Sequence, residues 1–165
     1  MLKFELDIHE PSISIVCSWI EYEEKKRIIN YKKIVMKEDN MNTKLNIYIS
    51  HSSKMDYINE LYEPLLNSSI ALNNNLILPR SKEYEKINTK QIIMESDILV
   101  AEVSYPGTGI GLELGRAESH NVPIICFIKK GIKCNSSVSR NFKVIEYENA
   151  SDMIEKLENI ITKIS

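Results

Sequence analysis

Asp97-Ile98-Leu99-Val100-Ala101-Glu102-Val103 runs directly into Ser104-Tyr105-Pro106-Gly107-Thr108-Gly109-Ile110-Gly111-Leu112-Glu113-Leu114-Gly115-Arg116-Ala117. The first seven residues form a mostly apolar run of strand length, as expected of a strand covered on both faces of a sheet. The chain has only five glycines, and four of them, Gly107, Gly109, Gly111 and Gly115, fall within nine residues of the second stretch. Gly109 to His120 then reads as a helix. A buried strand, a glycine-rich turn and a helix, in that order, make one βα unit of a parallel sheet.

The same rhythm extends outward from this unit. Leu45-Asn46-Ile47-Tyr48-Ile49 reads as a first strand. Asp56 to Leu66 reads as a helix with Ile58, Leu61, Tyr62, Leu65 and Leu66 on one side, with Pro64 weakening its second half. Leu76-Ile77-Leu78 is a short strand ahead of Pro79, and a helix from about Asn88 to Glu95 leads into the Asp97 strand. Downstream come strands at Pro123 to Ile128 and Phe142 to Tyr147, then a closing helix from Ser151 to Ile164. Ser151 reads as its N-cap, with Glu155 one turn in, favourable to the helix dipole. Residues 1–43 do not share the rhythm. They carry seven Lys/Arg against eight Asp/Glu, with room for an amphipathic helix from Ile20 to Met36 and a polar linker over residues 37–43. The expected organisation is an N-terminal extension over residues 1–43 and an α/β domain over residues 44–165.

Composition narrows the function classes. Across 165 residues, 21 Lys+Arg balance 23 Asp+Glu, so no overall basic field favours nucleic acid. Apolar runs such as Ile124 to Ile128 fall far short of the roughly 20 residues that cross a bilayer. Met1 to Asp7 is mixed in charge, unlike the start of a secretory leader. Cys17, Cys126 and Cys134 are odd in number and lack CxxC spacing, which points to free thiols in a reducing, cytoplasmic compartment. His9, His51 and His120 are scattered, and none pairs with a cysteine or a second histidine at ligand spacing, so no structural zinc site is expected; no cofactor is expected either. The partner these features leave is a small molecule, with no nucleic acid and no membrane.

The glycine loop carries the chemistry. Glycines allow a tight turn and close backbone approach by a ligand, and free N–H groups at a helix start favour an anion. Ligands of open parallel sheets bind beyond the carboxyl ends of the strands. The plainer alternative is that the glycines only shape the turn and let helix pack on strand. Glu113 is expected in the first helical turn, where the dipole would keep it ionised, or else as an ordinary helix charge paired with Arg116.

The stretch from Asp97 to Ala117 resembles the nucleoside 2-deoxyribosyltransferase superfamily, which includes the 2'-deoxynucleoside 5'-phosphate N-hydrolases. The likeness rests on the strand ending Ala101-Glu102-Val103, the Pro-containing glycine loop and Glu113-Leu114-Gly115-Arg116-Ala117, and extends more weakly over residues 44–164. It implies a flavodoxin-like (Rossmann-like) parallel sheet with helices on both faces. It also implies that Glu113 is a nucleophile at the anomeric carbon, with a glycosyl-enzyme intermediate resolved by water or by a second base, as in retaining glycosidases. Tyr48-Ile49-Ser50-His51-Ser52 is similar to the superfamily's strand end, which would put Tyr48 near the sugar and Ser52 near a 5'-phosphate. Lys54 falls where the hydrolases hold phosphate with a basic residue, and Gly107, Thr108, Gly109 and Gly111 would complete that cradle. Ser136 and Ser137 match a region that reaches a neighbouring subunit's phosphate site, implying a homodimer or larger assembly. For Tyr48, Ser52 and Lys54, a core aromatic and a solvated turn remain equal alternatives.

One departure stands out. The hydrolases carry an aspartate 24 positions before the glutamate, where this chain has Thr89. Glu85, Glu95, Asp97 or His51 are alternative acids for the leaving base. The activity expected is cleavage or transfer of the N-glycosidic bond of a (deoxy)nucleoside or nucleoside 5'-monophosphate. Two rivals stand beside it. One is a TIR-like NAD glycohydrolase, suggested by Tyr48 to Lys54; the other is a catalytically inactive nucleotide-binding or sensor module.

Overall fold

The computed structural model describes residues 44–82, 84 and 88–164. The expected extension over residues 1–43, with its helix, linker, Cys17 and His9, lies outside the described residues, as does Glu85. Within the compact unit Lys44–Ser165, five strands make one parallel sheet in the order β2-β1-β3-β4-β5. They are β1 (Asn46–Ser50), β2 (Asn75–Ile77), β3 (Ile98–Glu102), β4 (Ile124–Lys129) and β5 (Val144–Tyr147). This is the flavodoxin-like order, and the α/β reading is borne out.

Each strand presents alternate side chains to two helical layers. Ile47 and Ile49 of β1, Val100 of β3 and Phe127 of β4 join a core closed by Leu61, Leu65, Met153 and Leu157. Tyr48, Leu99, Ala101 and Cys126 face the other way, against Ile93, Ile110, Leu114 and Ala117. The helices of the first layer are a π-helical turn (Ile58–Tyr62) running on into α1 (Glu63–Leu66), then α2 (Ser69–Asn73) and α6 (Ala150–Ile164). The second layer has α3 (Thr89–Glu95) and α4 (Thr108–Ser119). A short α5 (Ser136–Asn141) follows β4.

Local chemistry explains where these elements depart from expectation. Leu61, Tyr62 and Leu65 are buried, but Ile58 and Leu66 are exposed at 50% and 54%. In a regular helix Pro64 would clash with the Glu60 carbonyl and withhold an N–H from it. The chain widens to a π turn one step earlier, with the Glu63 N–H bonded to the Ile58 carbonyl, which turns Ile58 away from the core. The closing helix is capped by Asn149 rather than Ser151, with the Asn149 side chain accepting from the Asp152 N–H at 3.1 Å. Asp152, not Glu155, is its first-turn acid. Helix α4 ends at Ser119 with His120 as its C-cap, and the next residue, Asn121, takes a positive φ of 56°, which suits a residue that tolerates the left-handed region. There the Val122 and Asn121 N–H groups close back onto the carbonyls of Ala117 and Glu118. Among the described residues no helix is long and apolar enough to cross a membrane.

Candidate functional site at the carboxyl end of the first strand

In the order 2-1-3-4-5 the connection reverses between β1 and β3, which is where a crevice opens beyond the strand ends. Ser50 pairs in register with Ala101 at that point. Tyr48 and Ser50 lie two residues apart on β1, so both project toward α4. Both end on one carboxylate. The Tyr48 hydroxyl donates to Glu113 Oε1 at 2.9 Å, and the Ser50 hydroxyl donates to Glu113 Oε2 at 2.5 Å. Tyr48 is thus a core ring whose polar tip is spent on Glu113. Ser50 is a member of the cluster that no motif singled out, although the period-two rule made it legible once Tyr48 was placed.

Glu113 is in the second turn of α4, not the first, because the helix begins at Thr108 behind a Gly107 cap. The helix dipole is therefore not what governs its charge. Burial raises the Glu113 carboxyl above the ordinary 4.5, opposed by the bonds from Ser50 and Tyr48 and by the charges of Arg116 and Arg80. The neighbouring carboxylate and burial in turn push the Tyr48 phenol far up, with burial the larger cause. The expected Glu113–Arg116 pair does not form, since Arg116 donates instead to the Thr89 hydroxyl at 2.9 Å.

The glycines divide by what surrounds them. A Cβ on Gly107 would meet Ser52 Oγ at 3.3 Å, so this glycine lets the two loops approach. At Gly109, Gly111 and Gly115 a Cβ would meet nothing within 4 Å, so packing of helix on strand does not require them. Gly109 lies one turn before Glu113 on the same helical face, and the space beside it is open. Ser52 is buried, its hydroxyl accepting from the Lys54 N–H at 3.3 Å. Lys54 and Thr108 are exposed. Ser137 is exposed in the first turn of α5, its N–H bonded to the Asn135 side chain at 2.8 Å. Ser136 and Ser137 therefore begin a helix.

The alternative acids do not gather at Glu113. Asp97 accepts from the Asn46 N–H at 2.9 Å, at the amino end of β1, and Glu95 at the end of α3 is exposed and bonded to Gln91. Both stand at the opposite, amino-terminal end of the strands. His51 is buried. Its Nδ1 is 3.1 Å from the Ser52 carbonyl, which can only accept, so Nδ1 carries the proton and Nε2 accepts from the Tyr62 hydroxyl at 2.7 Å. Burial lowers its pKa, which disfavours the imidazolium that a general acid would have to be.

Two further groups frame the site. Arg80, just past β2, sets its guanidinium 5.7 Å from the Tyr57 ring centre, and Tyr57 stacks on His51 at 4.5 Å. Across the sheet, Glu102 is buried with Oε1 accepting from the Ser104 hydroxyl, the Ser104 N–H and the Tyr147 hydroxyl. The Ser104 hydroxyl also accepts from the Lys129 N–H at 2.8 Å. This knot fixes the direction in which the glycine loop leaves β3. Among the described residues no group of three or more His, Cys, Asp or Glu is placed to hold a metal ion, and Cys126 and Cys134 are free thiols.

No family model matches the chain. It is 31% identical over 77 residues to a protein of Thermofilum pendens named as a 2'-deoxynucleoside 5'-phosphate N-hydrolase 1, covering 43% of this chain and 54% of that one. A protein of the same name from Syntrophotalea carbinolica is 36% identical over 75 residues, covering 43% and 53%. The chain spans about half the length of these relatives. Among solved structures, the CMP N-glycosidase BcmB of Clostridium botulinum superposes with a TM-score of 0.55 at 16% identity, over 70% of this chain and 98% of that one. At that identity the likeness is one of fold. The resemblance to the nucleoside 2-deoxyribosyltransferase superfamily is borne out by these relatives.

Proposed function

We propose that this chain cleaves the N-glycosidic bond of a (deoxy)nucleoside or nucleoside 5'-monophosphate, with Glu113 as the nucleophile. The observation that carries the reading is the Glu113 carboxylate held from both oxygens by Tyr48 and Ser50, beside open space, at the crevice end of the sheet. The two hydroxyls fix the carboxylate's orientation and favour its charged form against burial. A Glu113 oxygen attacks the anomeric carbon as the base departs with the bonding electrons. The resulting glycosyl ester is then hydrolysed by water, or transferred if a second base occupies the site. The names of the relatives, N-hydrolases of 2'-deoxynucleoside 5'-phosphates, support this class of substrate.

In this reading Tyr48 lies under the sugar. Ser52, Lys54 and the N–H groups of Gly107, Thr108 and Gly109 at the start of α4 receive the 5'-phosphate, because a helix start gathers unpaired donors; Gly111, whose N–H is bonded to the Gly107 carbonyl, lines the cradle without donating to it. Ser137 serves the phosphate site of a neighbouring copy in a homo-oligomer, and residues 1–43 form an extension outside the catalytic domain. The test is base release from deoxynucleosides, their 5'-monophosphates and NAD, comparing the parent protein with Glu113→Gln. Turnover of a nucleoside or nucleotide that Glu113→Gln abolishes, in a protein that still folds, supports the reading. Release of nicotinamide alone moves it to an NAD glycohydrolase, and binding without turnover to an inactive sensor.

A further inference from the structure

A departing nucleobase needs its developing negative charge neutralised, and the described site offers no titrating acid to do it. Both ring nitrogens of His51 are already engaged, by the Ser52 carbonyl and the Tyr62 hydroxyl. Thr89 accepts from Arg116, and Asp97 is at the far end of the sheet. Arg116 is held by Thr89, and a second fixed charge, Arg80, stands at the correct end. β2 lies beside β1, so Arg80, three residues beyond Ile77, flanks the carboxyl end of β1 on the side away from β3 and α4. Its backbone N–H is anchored to the Tyr62 hydroxyl at 3.4 Å, and its guanidinium lies over Tyr57. Among the described residues that guanidinium has no carboxylate partner. Its charge nevertheless reaches the cluster, helping to lower the carboxyl of Glu113 and opposing a positive charge on His51.

We infer that Arg80 is the leaving-group residue, stabilising the departing base as an anion by fixed charge where a titrating acid would otherwise protonate it. The inference rests on the glycosidase reading above. The C1'–N bond breaks as a Glu113 oxygen bonds to C1', and the bonding pair stays with the base. The charge delocalises onto a ring carbonyl oxygen, which accepts from the guanidinium. The free base then takes its proton from solvent. An always-charged planar donor suits that role, although it cannot itself deliver the proton. Chemistry of this kind selects bases that leave as delocalised anions. Imide pyrimidines do so, whereas purines and aminopyrimidines depart readily only after ring protonation.

The experiment is a leaving-group series of 2'-deoxyuridine, 5-bromo- and 5-fluoro-2'-deoxyuridine and 2'-deoxycytidine, each with and without a 5'-phosphate. It is run on the full chain and on Arg80→Gln, which keeps amide donors and removes the charge. Removing one donor aimed at developing charge typically costs about 10²–10³ in kcat. The expected result is a kcat loss of about that size on deoxyuridine that shrinks as halogenation makes the base a better anion. KM changes only a few-fold, and the pattern is the same with and without phosphate. A loss equal for every base, a loss confined to phosphorylated substrates, or no loss overturns the role of Arg80 while leaving Glu113 intact. Absence of base release by the parent protein overturns the glycosidase reading and this inference with it. Arg80 is exposed, and a thermal melt of Arg80→Gln matching the parent separates chemistry from folding.

Discussion

Ser50→Ala deletes the shorter of the two bonds that hold Glu113, 2.5 Å against 2.9 Å from Tyr48. A hydrogen bond to an ionised group contributes about 1.5–3 kcal/mol, and one pKa unit corresponds to about 1.36 kcal/mol. Loss of the Ser50 donor therefore raises the Glu113 carboxyl by about one to two units beyond where burial already holds it. The direction follows from the donor: a hydroxyl bonded to the carboxylate favours the charged form, and the nucleophile must be charged to attack. The acid limb of kcat/KM, which reports the base of the free enzyme, moves up by about one to two pH units. Below the new limb the variant loses roughly tenfold to a hundredfold against the parent; well above it, most of that loss is recovered. Stability moves in concert. A carboxyl raised above 4.5 in the fold weakens folding as pH climbs from 4.5 through the folded value, and the variant extends that window upward. The assay is kcat/KM from pH 4 to 9, with urea unfolding at pH 4.5 and pH 8. An acid limb that stays in place, with a loss uniform across pH, refutes the claim that Ser50 acts on the charge of Glu113.

Three other outcomes follow from the same geometry. Gly109→Ala gains about 0.5–1 kcal/mol of helix stability because nothing lies within 4 Å of the new methyl, yet it lowers kcat/KM by intruding on the open space beside Glu113. Unfolding curves and kinetics check both halves, and full activity in the stabilised variant counts against a substrate in that space. Glu102→Gln removes a buried carboxyl that burial raises above 4.5. The parent loses stability as pH rises from 4.5 through that raised value, because the unfolded chain releases its proton first; the variant shows a shallower decline over the same window, measured by urea midpoint against pH. Asn149→Ala costs about 1 kcal/mol through loss of the α6 cap, seen as a lower urea midpoint at an unchanged m-value, whereas Ser151→Ala leaves the midpoint within about 0.5 kcal/mol of the parent.

The sheet was legible where burial on both faces writes itself as an apolar run. Ile98 to Val100 and Ile124 to Ile128 have no polar alternation to confuse the reading, and β3 and β4 lie where those runs are. Short polar helices were not legible: Ser136 to Asn141 buries none of its residues and is started by the Asn135 side chain, a signal shared with any Asx turn. Glu113 was found by its position after the glycine turn, but its electrostatics were misread. A start at Thr108 moves it into the second turn, and the two hydroxyls that hold it come from residues more than 60 positions away. His51 shows the same limit. A histidine after a strand looks solvated until Tyr57 and Tyr62 fold over it. Arg80 carried no motif; what marks it is its place beyond the strand next to β1, which requires the strand order.

The most direct test of the central claim is the stereochemistry at the anomeric carbon. With methanol as competing acceptor, a β-nucleoside substrate turned over through a Glu113 ester gives the β-methyl glycoside by two inversions. Rapid quench followed by mass spectrometry is also expected to find the sugar's mass on the peptide holding Glu113. An α-methyl product with no adduct contradicts a nucleophilic Glu113 and assigns the carboxylate to activating water instead.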